Sequence, residues 1–116
     1  MATRESRGVS GGGPLPGVLP FSLPHASRLS WELGARTVDG AALAGEWDHA
    51  DSSWSLAVFE ATSATVIVRV TTPAGRERFY GVARMDLESA LPKLAASSAW
   101  RPTERGRDAD AQLRTA

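Results

Sequence analysis

The sequence predicts a small α+β domain: an antiparallel sheet of three to four strands in a meander, followed by a C-terminal helix packed on one face. Two observations lead to this prediction. Between Trp54 and Met85, two consecutive runs alternate apolar and polar residues, which is typical of half-buried strands. The next run, LESALPKLAAS, spaces its leucines for one buried helical stripe.

The chain begins with a low-complexity arm, residues 1–25. GVSGGGPLPG is rich in glycine, and VLPFSLP is spaced by prolines, so both favour flexible or extended backbone. Leu19, Phe21 and Leu23 could dock on the domain or on a partner, but this composition is more typical of a mobile arm. The prolines also interrupt the apolar core that an export signal would need. We therefore expect a cytoplasmic protein.

The folded domain is predicted to span residues 26–100. RLSWEL alternates Leu29, Trp31 and Leu33 with polar residues and favours a strand, although Leu29 and Leu33 also fit helical spacing. The Asp-Gly pair that follows predicts a turn. AALAGEW then predicts a short helix or an irregular entry to the next strand.

A hairpin is the clearest local feature. ATVIVRVTT and RERFYGVAR flank PAG, which suits a three-residue loop with Gly75 in the left-handed conformation. With that loop, Val70 faces Arg78, and Phe79 lies beside Arg69. A four-residue loop would instead bring Phe79 onto the valine face. We prefer the first register, because Gly75 stands where the bulge needs a glycine.

The helix after the hairpin has two possible starts. Asp86 is a natural N-cap, but a helix that starts there contains Pro92 in its interior and should kink at that residue. A start at Ser89 instead places Pro92 in the first turn, where proline is tolerated. The predicted buried stripe is Leu87, Leu91 and Leu94. Residues 101–116 alternate charges and have few large apolar residues, so we expect a disordered tail or a frayed helix.

Composition excludes several functional classes. The absence of cysteine excludes a disulfide framework, a cysteine nucleophile and thiolate zinc sites. The longest apolar runs are far shorter than the ~20 residues of a membrane span, so no membrane association is expected. A folded core this small buries only ~60% of its surface, which makes a homo-oligomer or a protein partner attractive.

Arginine dominates the basic residues, with Lys93 the single lysine. Guanidinium groups suit phosphate, but GC-rich coding produces the same bias, and 13 acidic residues balance the 13 basic ones. A nucleic-acid-binding strip on the sheet is therefore possible but not favoured. Its members would be Arg69, Arg76, Arg78 and Arg84.

GEWDHADSSW contains a dense group of possible metal ligands. Asp48, His49 and Asp51 have suitable chemistry, and His49 could act as a general base, so a small metal-dependent or general-base enzyme is a further alternative. Neighbouring side chains diverge, however, and the other histidine, His25, lies in the arm. We interpret the stretch as a polar loop, and we expect no catalytic residue, metal or cofactor.

These observations predict a non-catalytic protein-interaction module of the accessory, regulatory or immunity type. The predicted binding surface is a sheet face or edge with Trp47, Arg69, Arg78 and Phe79. Two or three of the four tryptophans should fill the core. Of the four, Trp47 is the best candidate for an exposed ring, because it stands among polar residues, although burial in the core is favoured over exposure for this ring too.

Overall fold

In the described part of the chain, six antiparallel strands form one sheet, with a helix on each face. The computed structural model describes residues 15–103. Its elements are β1 (Ser27–Leu29), α1 (Trp31–Asp39), β2 (Ala42–His49), β3 (Ser55–Glu60), β4 (Thr65–Thr71), β5 (Glu77–Ala83), α2 (Arg84–Ala96) and β6 (Trp100–Pro102). The α+β class is confirmed. The strand number was too low, and α2 is followed by a further strand rather than ending the domain.

The strand order is β1-β5-β4-β3-β2-β6. Strands β2 to β5 form the predicted meander, and β1 and β6 extend it at its two edges. Both helices are crossovers. Helix α1 carries the chain from β1 at one edge to β2 near the other. After the meander has returned to β5, α2 crosses in the same direction to β6 at the far edge.

The hairpin register is confirmed. Val70 pairs with Arg78, and Arg69 pairs with Phe79. Gly75 has a φ of 88°, the left-handed conformation that the bulge requires. The backbone N–H of Thr72 donates to the carbonyl of Arg76 at 2.8 Å and closes the loop.

Each face of the sheet has its own core. The first face, defined by the valines of β4, packs against α2 and the segment before β1. The second face packs against α1 and the residues around it. The buried residues of the second face are Ala57, Phe59, Ile67 and Phe79.

RLSWEL is mainly helical, and its prediction as a strand was wrong beyond Leu29. The Ser30 side chain accepts a hydrogen bond from the backbone N–H of Leu33 at 3.2 Å, so it caps α1 and ends β1. Trp31 is 61% exposed and Leu33 50% exposed. The alternation of large apolar residues therefore marks no buried face.

AALAGEW is also different from its prediction, because Ala42–His49 form strand β2. The strand contains an irregularity between Leu43 and Gly45 and pairs on both sides, with β3 and β6. The Trp47 ring folds over Gly45, where an added Cβ would lie 2.5 Å from the indole. The first half of GEWDHADSSW is thus sheet, and the loop begins at Ala50.

Helix α2 begins at Arg84, earlier than either predicted start. Ala83 occupies the N-cap position without a side-chain cap, so the chain passes directly from β5 into the helix. Pro92 lies inside the helix and is exposed. Leu87 and Leu94 are buried as the stripe predicted, together with Ala90, and Leu91 is partly buried.

Part of the predicted arm belongs to the domain. Leu15, Leu19, Phe21 and Leu23 are buried against the first face of the sheet. The Trp100 Nε1 donates to the carbonyl of Val18 at 3.2 Å and ties this segment to β6. The first residues assigned to the tail also belong to the fold, because β6 extends to Pro102. Residues 1–14 and 104–116, which include the rest of the predicted arm and tail, lie outside the described residues.

Candidate functional site

The structure does not bring the four predicted binding residues together. Trp47 and Arg78 share the first face of the sheet, but β3 and β4 separate their strands. Trp47 is half-buried and packs against the core of that face. Arg69 and Phe79 lie on the second face, and Phe79 is only 1% exposed beneath α1.

Arg69 of β4 is held between two acids, Glu77 on the adjacent β5 and Glu46 on β2, which lies beyond β3. Its guanidinium lies 3.8 Å from a carboxylate oxygen of Glu46 on one side and 3.8 Å from one of Glu77 on the other. Its Cζ stands 5.1 Å from the centre of the Phe59 ring, within cation–π range. The Arg69 side chain is 22% exposed. Its charge is therefore matched within the chain, which leaves little of it for a partner.

The predicted arginine strip is similarly divided. Arg84 pairs with Glu60 and donates from Nε to the carbonyl of Ser63 at 2.8 Å. These bonds fix the loop between β3 and β4 against the start of α2. Arg76 and Arg78 have no acidic partner within residues 15–103. The members of the predicted strip that lack an acidic partner in these residues therefore lie at the hairpin and not along the sheet.

The acidic stretch around His49 organises a loop. Asp48 and His49 lie on opposite faces of β2. The Nδ1 of His49 accepts from the backbone N–H of Asp51 at 3.2 Å and lies 3.0 Å from the Ser52 hydroxyl. Its ring meets the buried Trp100 edge to face. Within residues 15–103, no group of three or more His, Cys, Asp or Glu side chains could hold a metal ion.

An open cleft of about 450 Å³ lies where the start of α1 passes the tip of the β4–β5 hairpin. We call it the arginine–tryptophan cleft. It exists because Ser30 turns the chain into α1, so that β1 pairs with β5 only as far as Phe79. The hairpin extends beyond that point. The lining residues are Arg28, Trp31, Gly75, Arg76, Glu77 and Arg78.

The cleft has a cationic rim and one aromatic wall. Arg28 and Arg76 are exposed, Arg78 is half-buried, and none of the three pairs with an acid in the described part of the chain. The carboxylate of Glu77 is bound instead to Arg69 on the second face. The indole of Trp31 is 61% exposed. The cleft therefore offers guanidinium donors and an apolar surface to one ligand.

Sequence reasoning found Arg76 and Arg78 but missed Arg28 and Trp31 as members of this site. The missed signal is Ser30, an N-cap residue placed before WELGARTVD, in which Glu32 and Arg36 pair at 3.7 Å with helical i,i+4 spacing. A helix starting at Trp31 places this ring at the end of a short edge strand. At the end of a short edge strand few neighbouring residues are available to cover the ring, and Trp31 is accordingly exposed.

Comparison with known proteins adds no assignment, because no family model, no curated protein and no solved structure matches this chain. No helix in residues 15–103 has the length and apolar character that crossing a membrane requires.

Proposed function

We propose that the protein is a non-catalytic interaction module that binds a partner protein through the arginine–tryptophan cleft. The observation that supports this most strongly is the exposed Trp31 indole, flanked by arginines without acidic partners. Tryptophan and arginine are the residues most enriched among those that dominate protein–protein binding energies. The site is concave, so a protruding side chain of a partner could remove the indole from water.

Burial of the Trp31 indole by a partner would contribute substantially to the binding free energy. Covering its exposed surface would remove on the order of 100 Å² of apolar area from water, which is worth roughly 3 kcal/mol. The three guanidinium groups around it favour an acidic partner and increase the association rate by electrostatic attraction. The binding energy would thus be concentrated in one ring, with charge selecting the partner.

A protein fits the cleft better than a nucleic acid does. The chain has a formal net charge of zero, so it has no extended field for phosphates. Among residues 15–103, Trp31 is the single aromatic residue that lines the cleft, whereas single-strand binding sites stack successive bases on several rings. Arg69 and Arg84, which would have lengthened a basic strip, are paired with acids.

Trp31→Ser tests the proposal. The immobilised full-length protein is incubated with an extract of its host, and the retained proteins are compared between wild type and variant. We expect a defined partner to be retained by wild type and lost with Trp31→Ser, while the thermal unfolding temperature stays unchanged because the ring is exposed.

Met85→Ser is the matched control, because Met85 is a large apolar side chain that is 72% exposed at the start of α2 and lies outside the cleft. It should retain the partner as wild type does. Equal retention by all three proteins, or no retention by wild type, would contradict the proposal.

A further inference from the structure

We propose that the arginine–tryptophan cleft accepts an extended acidic segment of the partner, which adds to the sheet as a strand along the free edge of β5. This inference rests on the proposed function and specifies the kind of partner. It follows from three features of the cleft: the unpaired backbone of Glu77 at the strand edge, the placement of its arginines, and the position of Trp31.

The strand edge is free at Glu77. Strand β1 covers β5 only opposite Phe79, Tyr80 and Gly81. Across the hairpin, Arg76 bonds to Thr72, and alternate residues of an antiparallel strand turn their backbone groups to opposite sides. The N–H and C=O of Glu77 therefore point away from β4. Within residues 15–103, no backbone hydrogen bond from another segment reaches them.

The charges around this edge are positive on one face. Arg28 of β1 is paired directly with Tyr80, so the two side chains lie on the same face. Arg78 stands two residues before Tyr80 on β5 and therefore lies on that face as well. The exposed Arg76 adds a third guanidinium beside the hairpin loop. The acid of this edge, Glu77, projects to the opposite face and pairs with Arg69. A bound strand would thus meet uncompensated positive charge on the first face.

The aromatic wall of the cleft belongs to the helix on the other face. Trp31 begins α1, which covers the second face of the sheet. Because the side chains of a strand alternate between faces, a segment paired with Glu77 would direct every second residue toward Arg28 and Arg78. The intervening residues would meet Trp31. The recognised sequence should therefore alternate acidic with apolar residues, and its backbone should bond to Glu77.

Selection from a library of random peptides of about ten residues, which is the upper length of an ordinary strand, tests this inference without knowledge of the partner. Full-length protein is the target. We expect enrichment of peptides that alternate Asp or Glu with apolar residues. Adding an enriched peptide should shift the NMR signals of the Glu77 amide and the Trp31 indole, and should protect that amide from hydrogen exchange.

Charge variants provide the quantitative check. Arg28→Ala and Arg78→Ala should each weaken binding of the enriched peptide by about tenfold, the effect of losing one charge-assisted hydrogen bond. Arg101→Ala is the matched control, since Arg101 is an exposed arginine on β6 at the opposite edge of the sheet. It should leave the affinity unchanged. N-methylation of the central peptide residues should abolish binding, because it removes the strand-pairing donors.

The outcomes separate this inference from the proposed function. Enriched peptides without acidic residues, no enrichment, or affinity unaffected by Arg28→Ala and Arg78→Ala would overturn the strand-addition inference. If oligothymidine shifted the same NMR signals with a steep salt dependence, the ligand would be a nucleic acid and the strand-addition inference would be overturned. If the protein self-associated through the cleft, the occupant would be a second copy, and the inference would again be overturned. If any of these peptide results overturned strand addition, a partner whose capture depends on Trp31 would still support the proposed function. Peptide binding without any Trp31-dependent partner would instead contradict the proposed function.

Discussion

Gly34 sets the distance between α1 and the sheet. A Cβ at this position would lie 2.2 Å from the Cγ of Phe79 and 2.3 Å from its Cβ, far inside van der Waals contact. Phe79 is 1% exposed, so its ring has no open space into which it could turn. We expect Gly34→Ala to lower the free energy of unfolding by about 1–2 kcal/mol, since overpacking outweighs the better helix propensity of alanine.

Gly40→Ala is the control for that prediction. Gly40 caps the same helix with a φ of −106°, and nothing lies within 4 Å of the added Cβ. Its effect on stability should stay within about 0.5 kcal/mol. Urea denaturation followed by circular dichroism measures both variants. If Gly34→Ala were as stable as Gly40→Ala, the close contact between α1 and Phe79 would be wrong.

At the level of single residues, the sequence predicted which residues pair across the β4–β5 hairpin better than it predicted which side chains are exposed to solvent. The loop chemistry around Gly75 was sufficient to place Phe79 beside Arg69, because the register of a hairpin depends on its turn. It could not show that α1 covers Phe79 or that Glu46 of β2 pairs with Arg69. Both contacts join segments that lie far apart in the chain.

The segment before β1 is an element in its own right, although it has no regular secondary structure. Phe21 is buried with three leucines against the first face. Phe21→Ala should lower the free energy of unfolding by about 3 kcal/mol, because it removes a large buried ring and leaves a cavity. The neighbouring Ser22 is exposed, and Ser22→Ala should change stability by less than about 0.5 kcal/mol. Equal effects of the two substitutions on urea denaturation would contradict the docking of this segment.

Local sequence signals sufficed for the elements whose partners are also local. The β4–β5 hairpin was predicted in its register, and the apolar stripe of α2 was largely correct. Strands β2 and β6 were missed because most of their residues have weak strand propensity and become strands through pairing with each other and with β3. The arm was misread for a related reason: composition describes the isolated segment, whereas its apolar side chains are held by a sheet built from later residues.

The topology as a whole depends on long-range closure at both edges of the sheet. Ser27 pairs with Gly81, and Trp47 pairs with Pro102, so β1 and β6 form only when distant parts of the chain meet. The two edge strands are three residues long, which is too short to give a periodic signal in the sequence. The arginine–tryptophan cleft is a product of the β1 edge. It could therefore not be predicted before the strand order was known.

The same topology predicts a single cooperative unfolding transition. Trp100 is buried between β2 and the segment before β1, with its Nε1 bonded to the carbonyl of Val18, so the first and last described segments share one core. Far-UV circular dichroism and tryptophan fluorescence should report coincident urea transitions. Refolding should take milliseconds to seconds, because β1 and β6 pair with strands that are distant in the chain. Trp100→Phe removes the indole N–H and leaves a small cavity, so it should lower the free energy of unfolding by about 1–3 kcal/mol without splitting the transition. A fluorescence transition that precedes the loss of secondary structure would show instead that β6 and the docked segment detach independently of the sheet.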